Sequence, residues 1–345
     1  MSQAMHANDG PAAEGFRMPA EWEPHTSTWM CWPCRLDPWG IAERLSRARG
    51  ATSRVATAVA HFEPVILAVR PEDVSEAREA CGPAVEIFEV ALDDSWARDI
   101  GPSFLLGPGR AGVAWRFNAW GGKYEPYAND REFASRVLGC RRARSFAAPI
   151  VCEGGAIHVD GNGTLMTTEQ CLLNPNRNPG RTREQIERAL ASHTAVERIL
   201  WLPGHFSDEE TDGHIDNIAC FAAPGRVLLG VPPMRSHPDY EAVAAARRYL
   251  ADMRDAQGRK FDIVDLVQPC NMRLDWREQP LAASYVNFYL ANGGVVMPGF
   301  DDPADAAARA VLADCFPDRN VVQVEVLDIV QGGGGIHCIT QQEPA

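Results

Sequence analysis

The chain has 345 residues, 46% hydrophobic and 23% charged, and a formal net charge of -13; such a composition buries a core without disulfide or metal staples. The carboxylate excess argues against nucleic acid and anionic membrane as partners, because both recruit clustered Lys and Arg, and no apolar run approaches the roughly 18 to 20 residues of a membrane span. Ten cysteines scattered through a chain without a signal-type start point to reduced thiols and a cytoplasmic location.

In chain order, residues 1–14 are small and polar with no apolar period and read as a loosely ordered tail; residues 15–345 read as a single domain. Short β-type runs follow at Val65–Val69, Val85–Val90, Ala111–Trp115, Ala156–Val159, Leu165–Thr168, Ile218–Phe221, Val227–Gly230, Val295–Met297 and Val321–Asp328. Amphipathic segments between them predict helices at Ile41–Phe62, Asp130–Val137, Thr182–Ser192, Tyr240–Ala251 and Pro303–Cys315. Strands and helices alternate from end to end without a linker, which predicts the α/β class and roughly five strand–helix units.

Four segments carry chemistry. Asp93–Pro102 holds Trp96, Arg98 and Asp99 ahead of a Gly-Pro turn, and Cys152–Gly155 holds Glu153 ahead of a strand. The run Asp208–Asn217 packs five carboxylates and His214 together; a period of two predicts His214 and Asp216 on one strand face. Gly332–Gly335 is a four-glycine run, unsuited to regular structure and fitted to close backbone approach, and it leads to the thiol of Cys338. The bland readings are an acidic solvated loop, ordinary turns and a buried Cys. A metal site at His205, His214 and Asp216 lacks the usual ligand spacing, so no metal is expected, and no phosphate loop, dinucleotide fingerprint or Gly-x-Ser-x-Gly elbow suggests an organic cofactor.

If Asp99, Glu153, His214, Asp216 and Cys338 converge, the ligand that suits them is a planar cation rich in N–H donors, which describes a guanidinium. Two carboxylates clamp it, a thiolate attacks its carbon, and a histidine moves the protons. Trp120, in Phe117–Gly122, and Trp96 would wall the cation.

These segments also carry a resemblance. Gly15–Pro24, Trp29–Pro33, Trp96–Asp99, Phe117–Gly122, Glu153–Gly155, Thr211–Asn217 and Ile336–Gln342 resemble, in order, the agmatine deiminases, which belong with the porphyromonad-type peptidylarginine deiminases in the guanidine-modifying pentein superfamily. The resemblance implies a pentein fold: a five-bladed α/β propeller of ββαβ-type units around a pseudo-five-fold axis, about 69 residues each. It implies a catalytic domain that hydrolyses agmatine on the route from arginine to putrescine, with Cys338 as nucleophile, His214 as general acid/base, Asp99 and Asp216 on the guanidinium, and Glu153 beside them. Trp96, Trp120 and Glu210 would also touch substrate, with Glu210 and Asp212 toward the far amine. Gly335 departs from the Asn usual in that family. Arginine or peptidyl-arginine as substrate, and a non-catalytic binding module, are the alternatives. The sequence leaves assembly open, with a homodimer or homotetramer considered.

Overall fold

A computed structural model describes residues 10–345. Strands β1 (His25–Cys31), β2 (Val65–Val69) and β3 (Val85–Glu89) are parallel, with helices α1 (Ala42–Ala60) and α2 (Val74–Cys81) in the crossovers. Every residue of β2 is buried, as expected of an apolar run covered on both faces. Helix α1 buries Ala48, Ala51, Thr52, Val55, Ala56 and Val59, the three-and-four spacing of an amphipathic stripe.

The rest of the chain repeats one plan. Helix α3 (Ala97–Ile100) leads into β4 (Ser103–Leu105), which is antiparallel to β5 (Ala111–Arg116); β5 is parallel to β6 (Arg144–Val151), across α4 (Ala119–Gly122) and α5 (Ala128–Cys140). The next sheet joins β7 (His158–Val159), β8 (Thr164–Thr168) and β9 (Arg198–Leu202) across α6 (Glu169–Leu172) and α7 (Arg183–Thr194). Then come β10 (Ala219–Ala223), β11 (Arg226–Val231) and β12 (Asp262–Val267) across α8 (Tyr240–Asp252). Strands β13 (Tyr289–Ala291), β14 (Gly294–Gly299) and β15 (Asn320–Glu325) follow, across α9 (Asp305–Cys315). After α10 (Leu327–Val330), β16 (Thr340–Pro344) pairs antiparallel with β1, Trp29 opposite Gln341. Among the described residues there are thus five small sheets, each with an antiparallel entry strand followed by parallel ones.

Several expectations need correction. Val321–Asp328 is strand only to Glu325, because the chain turns into α10. His214 and Asp216 do not share a strand face: Ile215–Asn217 is a 3-10 turn ahead of β10, a geometry that period-two reasoning on a polar segment cannot detect. Of the segment read as a tail, residues 1–9 lie outside the described residues, whereas Pro11–Glu14 forms a 3-10 turn with Pro11 buried.

One polar knot ties β1 to β13. The buried carboxylate of Glu63 faces His25 Nδ1 at 3.0 Å, accepts from Tyr289 at 2.9 Å and from the Asn292 N–H at 2.6 Å, and also accepts from Thr28. Burial pushes this carboxyl up, but its donors outweigh burial and hold it below the ordinary carboxylate range. Glu63→Ala strands those donors and is expected to lower unfolding free energy by about 3–5 kcal/mol, read from urea melts, with Glu63→Gln losing less.

Candidate active site

The polar residues singled out in the sequence meet in the interior, each carried by a short segment just ahead of an entry strand. Asp99 lies in α3 before β4, Glu153 before β7, His214 and Asp216 before β10, and Cys338 before β16. All five are at most 4% exposed. Gly155 marks their meeting point: a Cβ there would stand 2.7 Å from His214 Nδ1, 2.8 Å from Asp99 Oδ1 and 2.9 Å from Asp216 Oδ2. Any larger residue would fill the site.

Asp99 accepts from Trp120 Nε1 and from the Gly155 N–H, both at 2.9 Å. Burial and the neighbouring carboxylates Asp216 and Glu153 raise its carboxyl above the ordinary range, with His214 opposing them. Asp216 goes the other way: burial would raise it, but His337 Nδ1 at 2.8 Å holds it low. The second ring nitrogen of His337 faces Glu21 Oε2 at 2.9 Å. With a carboxylate at each nitrogen both must donate, so the ring is an imidazolium; burial and Arg98 oppose that charge, and the two carboxylates outweigh them. Glu153 receives Arg177 Nε at 2.7 Å on one oxygen and turns the other toward His214 Nε2 at 3.6 Å. Burial disfavours a charged His214, yet Asp99, Cys171 and Glu153 raise its pKa well above an ordinary histidine.

Buried polar atoms are normally partnered, so unpartnered ones mark where a ligand's groups belong. Among the described residues nine buried side-chain N and O atoms lack a protein partner, and four of them are His214 Nδ1, His214 Nε2, Glu153 Oε2 and Asp216 Oδ1. Cys338 Sγ lies 3.6 Å from Asp216 Oδ2 and 3.3 Å from Asn287 Nδ2. A narrow cavity reaches the sulfur, walled by Trp96, Trp120, Tyr124 and Gly332–Gly334, with Asp99 and Glu210 also lining it. Gly333, at φ 105°, lets the backbone pass where a Cβ would lie 2.7 Å from Glu210 Cγ. Trp96, Trp120 and Glu210, expected to touch substrate, thus line the cavity that reaches Cys338. Asp212 is not in that lining; Arg177 at 2.8 Å, Lys123 at 3.0 Å and Asn176 at 3.0 Å all donate to its Oδ2. The ligands considered for a metal are not gathered either; the clusters of metal-binding type among the described residues are Glu21–His158–His337 and Glu153–Cys171–His214. Asn287, Arg177, His337 and Glu21 went unrecognised in the sequence. Asn287 offered no signal in the sequence, because the three-residue entry strand that follows it, β13, was itself not legible there.

The buried thiol, histidine and carboxylates are of the kind that deiminases carry, and the whole chain compares closely with proteins of that class. The model of the Porphyromonas-type peptidyl-arginine deiminase family matches residues 17–344, and the chain belongs to that family. Within it, the chain is 46% identical over 360 residues to the agmatine deiminase of Pseudomonas aeruginosa (strain LESB58), covering 97% of each. It is 44% identical over 362 residues to that of Pseudomonas putida (strain F1), covering 98% of each. Its fold superposes on the solved agmatine deiminase of Enterococcus faecalis with a TM-score of 0.93 at 36% identity, covering 99% of both chains.

Burial, with Asp216 and Asp99 nearby, pushes the Cys338 thiol well above the ordinary range. A raised pKa means thiolate appears only as pH rises. In the free protein, alkylation of Cys338, followed by mass spectrometry of its peptide, is expected to stay slow past pH about 8.5, where glutathione is half ionised. A midpoint at or below that of glutathione would contradict this electrostatic reading.

Proposed function

We propose that the protein hydrolyses agmatine to N-carbamoylputrescine and ammonia, and the observation that carries this is the meeting of Asp99, Asp216 and His214 around Gly155, with the Cys338 thiol 3.6 Å from Asp216 and a further carboxylate, Glu210, lining the cavity that reaches the sulfur. Asp99 and Asp216 take the guanidinium N–H groups, while Trp96 and Trp120 wall the substrate. The thiolate of Cys338 attacks the central carbon and forms a C–S bond; the tetrahedral adduct collapses by breaking one C–N bond as His214 donates the proton that leaves with ammonia. His214, now neutral, takes a proton from water, whose oxygen attacks the thiouronium carbon. Breaking the C–S bond, as the adduct's hydroxyl proton passes to the departing sulfur, frees the ureido product and the thiol. Glu153, fixed by Arg177, steadies the imidazole through both transfers.

Glu210 suits the far ammonium of agmatine. The nearby cation Arg277 is held by Asp275 Oδ2 at 2.6 Å as well as standing 3.4 Å from Glu210, so it is partly neutralised and is not free to receive the α-carboxylate of arginine. The five sheets are read as five blades around a pseudo-five-fold axis within one catalytic domain, supported by the repeated entry strand and the site residues just before it. A cytoplasmic setting is supported by ten unpaired cysteines.

Two measurements test this. Ammonia release should favour agmatine over arginine, a peptidyl arginine and guanidinobutyrate, and Cys338→Ser should abolish it while agmatine still binds; more than about a hundredth of wild-type activity would remove Cys338 as nucleophile. Glu210→Gln should raise KM for agmatine about 10-fold with a smaller change in kcat, since it removes one charge-assisted contact remote from the bond broken.

A further inference from the structure

We infer that Asn287 is a catalytic residue: its side-chain N–H holds the sulfur of Cys338 as thiolate while the C–S bond forms, and Gly335 is the residue that admits it. The inference rests on Cys338 being the nucleophile, as proposed above.

Asn287 sits in the segment before β13 and is 1% exposed. Its amide orientation is decided by its neighbours. Oδ1 accepts from the backbone N–H of His337 at 2.9 Å and of Cys338 at 3.4 Å; a flipped amide would set N–H against N–H. Nδ2 therefore points the other way, donating to Asn217 Oδ1 at 2.9 Å and reaching Cys338 Sγ at 3.3 Å, with the Asp216 carbonyl also at 3.3 Å. One amide thus grips the backbone of the nucleophile's own segment and presents a hydrogen to its sulfur.

That hydrogen matters because the Asp216 carboxylate, 3.6 Å from the sulfur, disfavours a negative charge there, and the Asn287 N–H joins the backbone of Gly335 in opposing that effect. A thiolate formed beside Asp216 needs donors, and an N–H directed at sulfur strengthens as charge develops there. The thiol passes its proton to bulk water before the sulfur lone pair attacks the guanidinium carbon; Asn287 makes and breaks no covalent bond. Gly335 is shaped to this contact. A Cβ at that position would lie 2.5 Å from Asn287 Oδ1 and 3.0 Å from its Cγ, so even an alanine methyl displaces the amide.

The test uses the full chain carrying Asn287→Ala, Asn287→Asp or Gly335→Ala. The pH dependence of Cys338 alkylation is followed by peptide mass spectrometry, with kcat and KM for agmatine measured in parallel and folding checked by thermal melting. Removing the donor should move the alkylation midpoint up by about one unit, so that modification at a fixed lower pH slows about 10-fold. The Asp variant, which replaces the donor with a charge, should move it furthest. Turnover should fall at least about 10-fold in kcat with KM changed less than about 3-fold, and Gly335→Ala should reproduce the pattern without altering Asn287 itself. A purely structural role would lower the melting temperature and leave the midpoint of the folded protein in place. Unmoved midpoints in folded Gly335→Ala and in either Asn287 variant overturn the inference. An active Cys338→Ser protein overturns the nucleophile reading instead, so the two failures are distinguishable.

Discussion

The interior of this protein is organised by the need to match buried charge. Arg177 meets Glu153 at 2.7 Å, Glu153 faces His214 at 3.6 Å, and His214 faces Asp99 at 3.8 Å. On the other side Asp216 meets His337 at 2.8 Å, His337 meets Glu21 at 2.9 Å, and Glu21 lies 3.9 Å from Arg98. Leaving one such partner alone costs about 3–5 kcal/mol, so these groups survive burial only as an ensemble. With both histidines protonated, the cations Arg98, Arg177, His214 and His337 balance the anions Glu21, Asp99, Glu153 and Asp216. An ionised Cys338 would break that balance. A guanidinium entering beside Asp99 and Asp216 restores it, so cation and thiolate are favoured together.

Backbone supplies the remaining requirement, which is proximity. Carboxylates, imidazole and thiol come from segments that each end in an entry strand, so sheet registers decide where the side chains point. The glycines remove what would keep them apart. Gly155 leaves the space shared by Asp99, His214 and Asp216, and Gly334 fits where a Cβ would come within 2.6 Å of the Trp96 ring. Close approach of backbone to side chain is what the four-glycine run provides.

Much of the fold was legible where apolar periodicity was strong. The run Val65–Val69 reads as a buried strand and is β2, and the stripe of α1 gave its extent to within a few residues. Strand β6 was hidden by its composition, Arg-Ser-Phe-Ala-Ala-Pro-Ile-Val, with alternate exposure and a proline; β13 is only three residues long; and in β12 exposed polar residues break the apolar pattern. The candidate site was legible to the extent that its residues stand in unusual local contexts, such as a thiol after four glycines. Glu21 and Asn287 lie in unremarkable segments, and their importance arises from partners hundreds or tens of residues away, His337 and Cys338. Asp212 shows the opposite error: it lies in the acidic cluster, but Arg177, Lys123 and Asn176 claim it.

The antiparallel pairing of β1 with β16 bears on when this chemistry becomes available during synthesis. Trp29 donates to Glu343 across 314 residues of sequence, and Cys338 stands just before the strand that makes this contact. A chain emerging from the ribosome can form its early sheets and gather Asp99, Glu153, His214 and Asp216 while the thiol is still absent. Those acidic groups must then wait in a partly built interior, short of the His337 that neutralises Asp216. Docking of the late strand against the early one brings Cys338 and this counter-charge together. A chain that lacks this last strand lacks Cys338 and, with it, the His337 that balances Asp216, so the thiol and its charge environment are completed together.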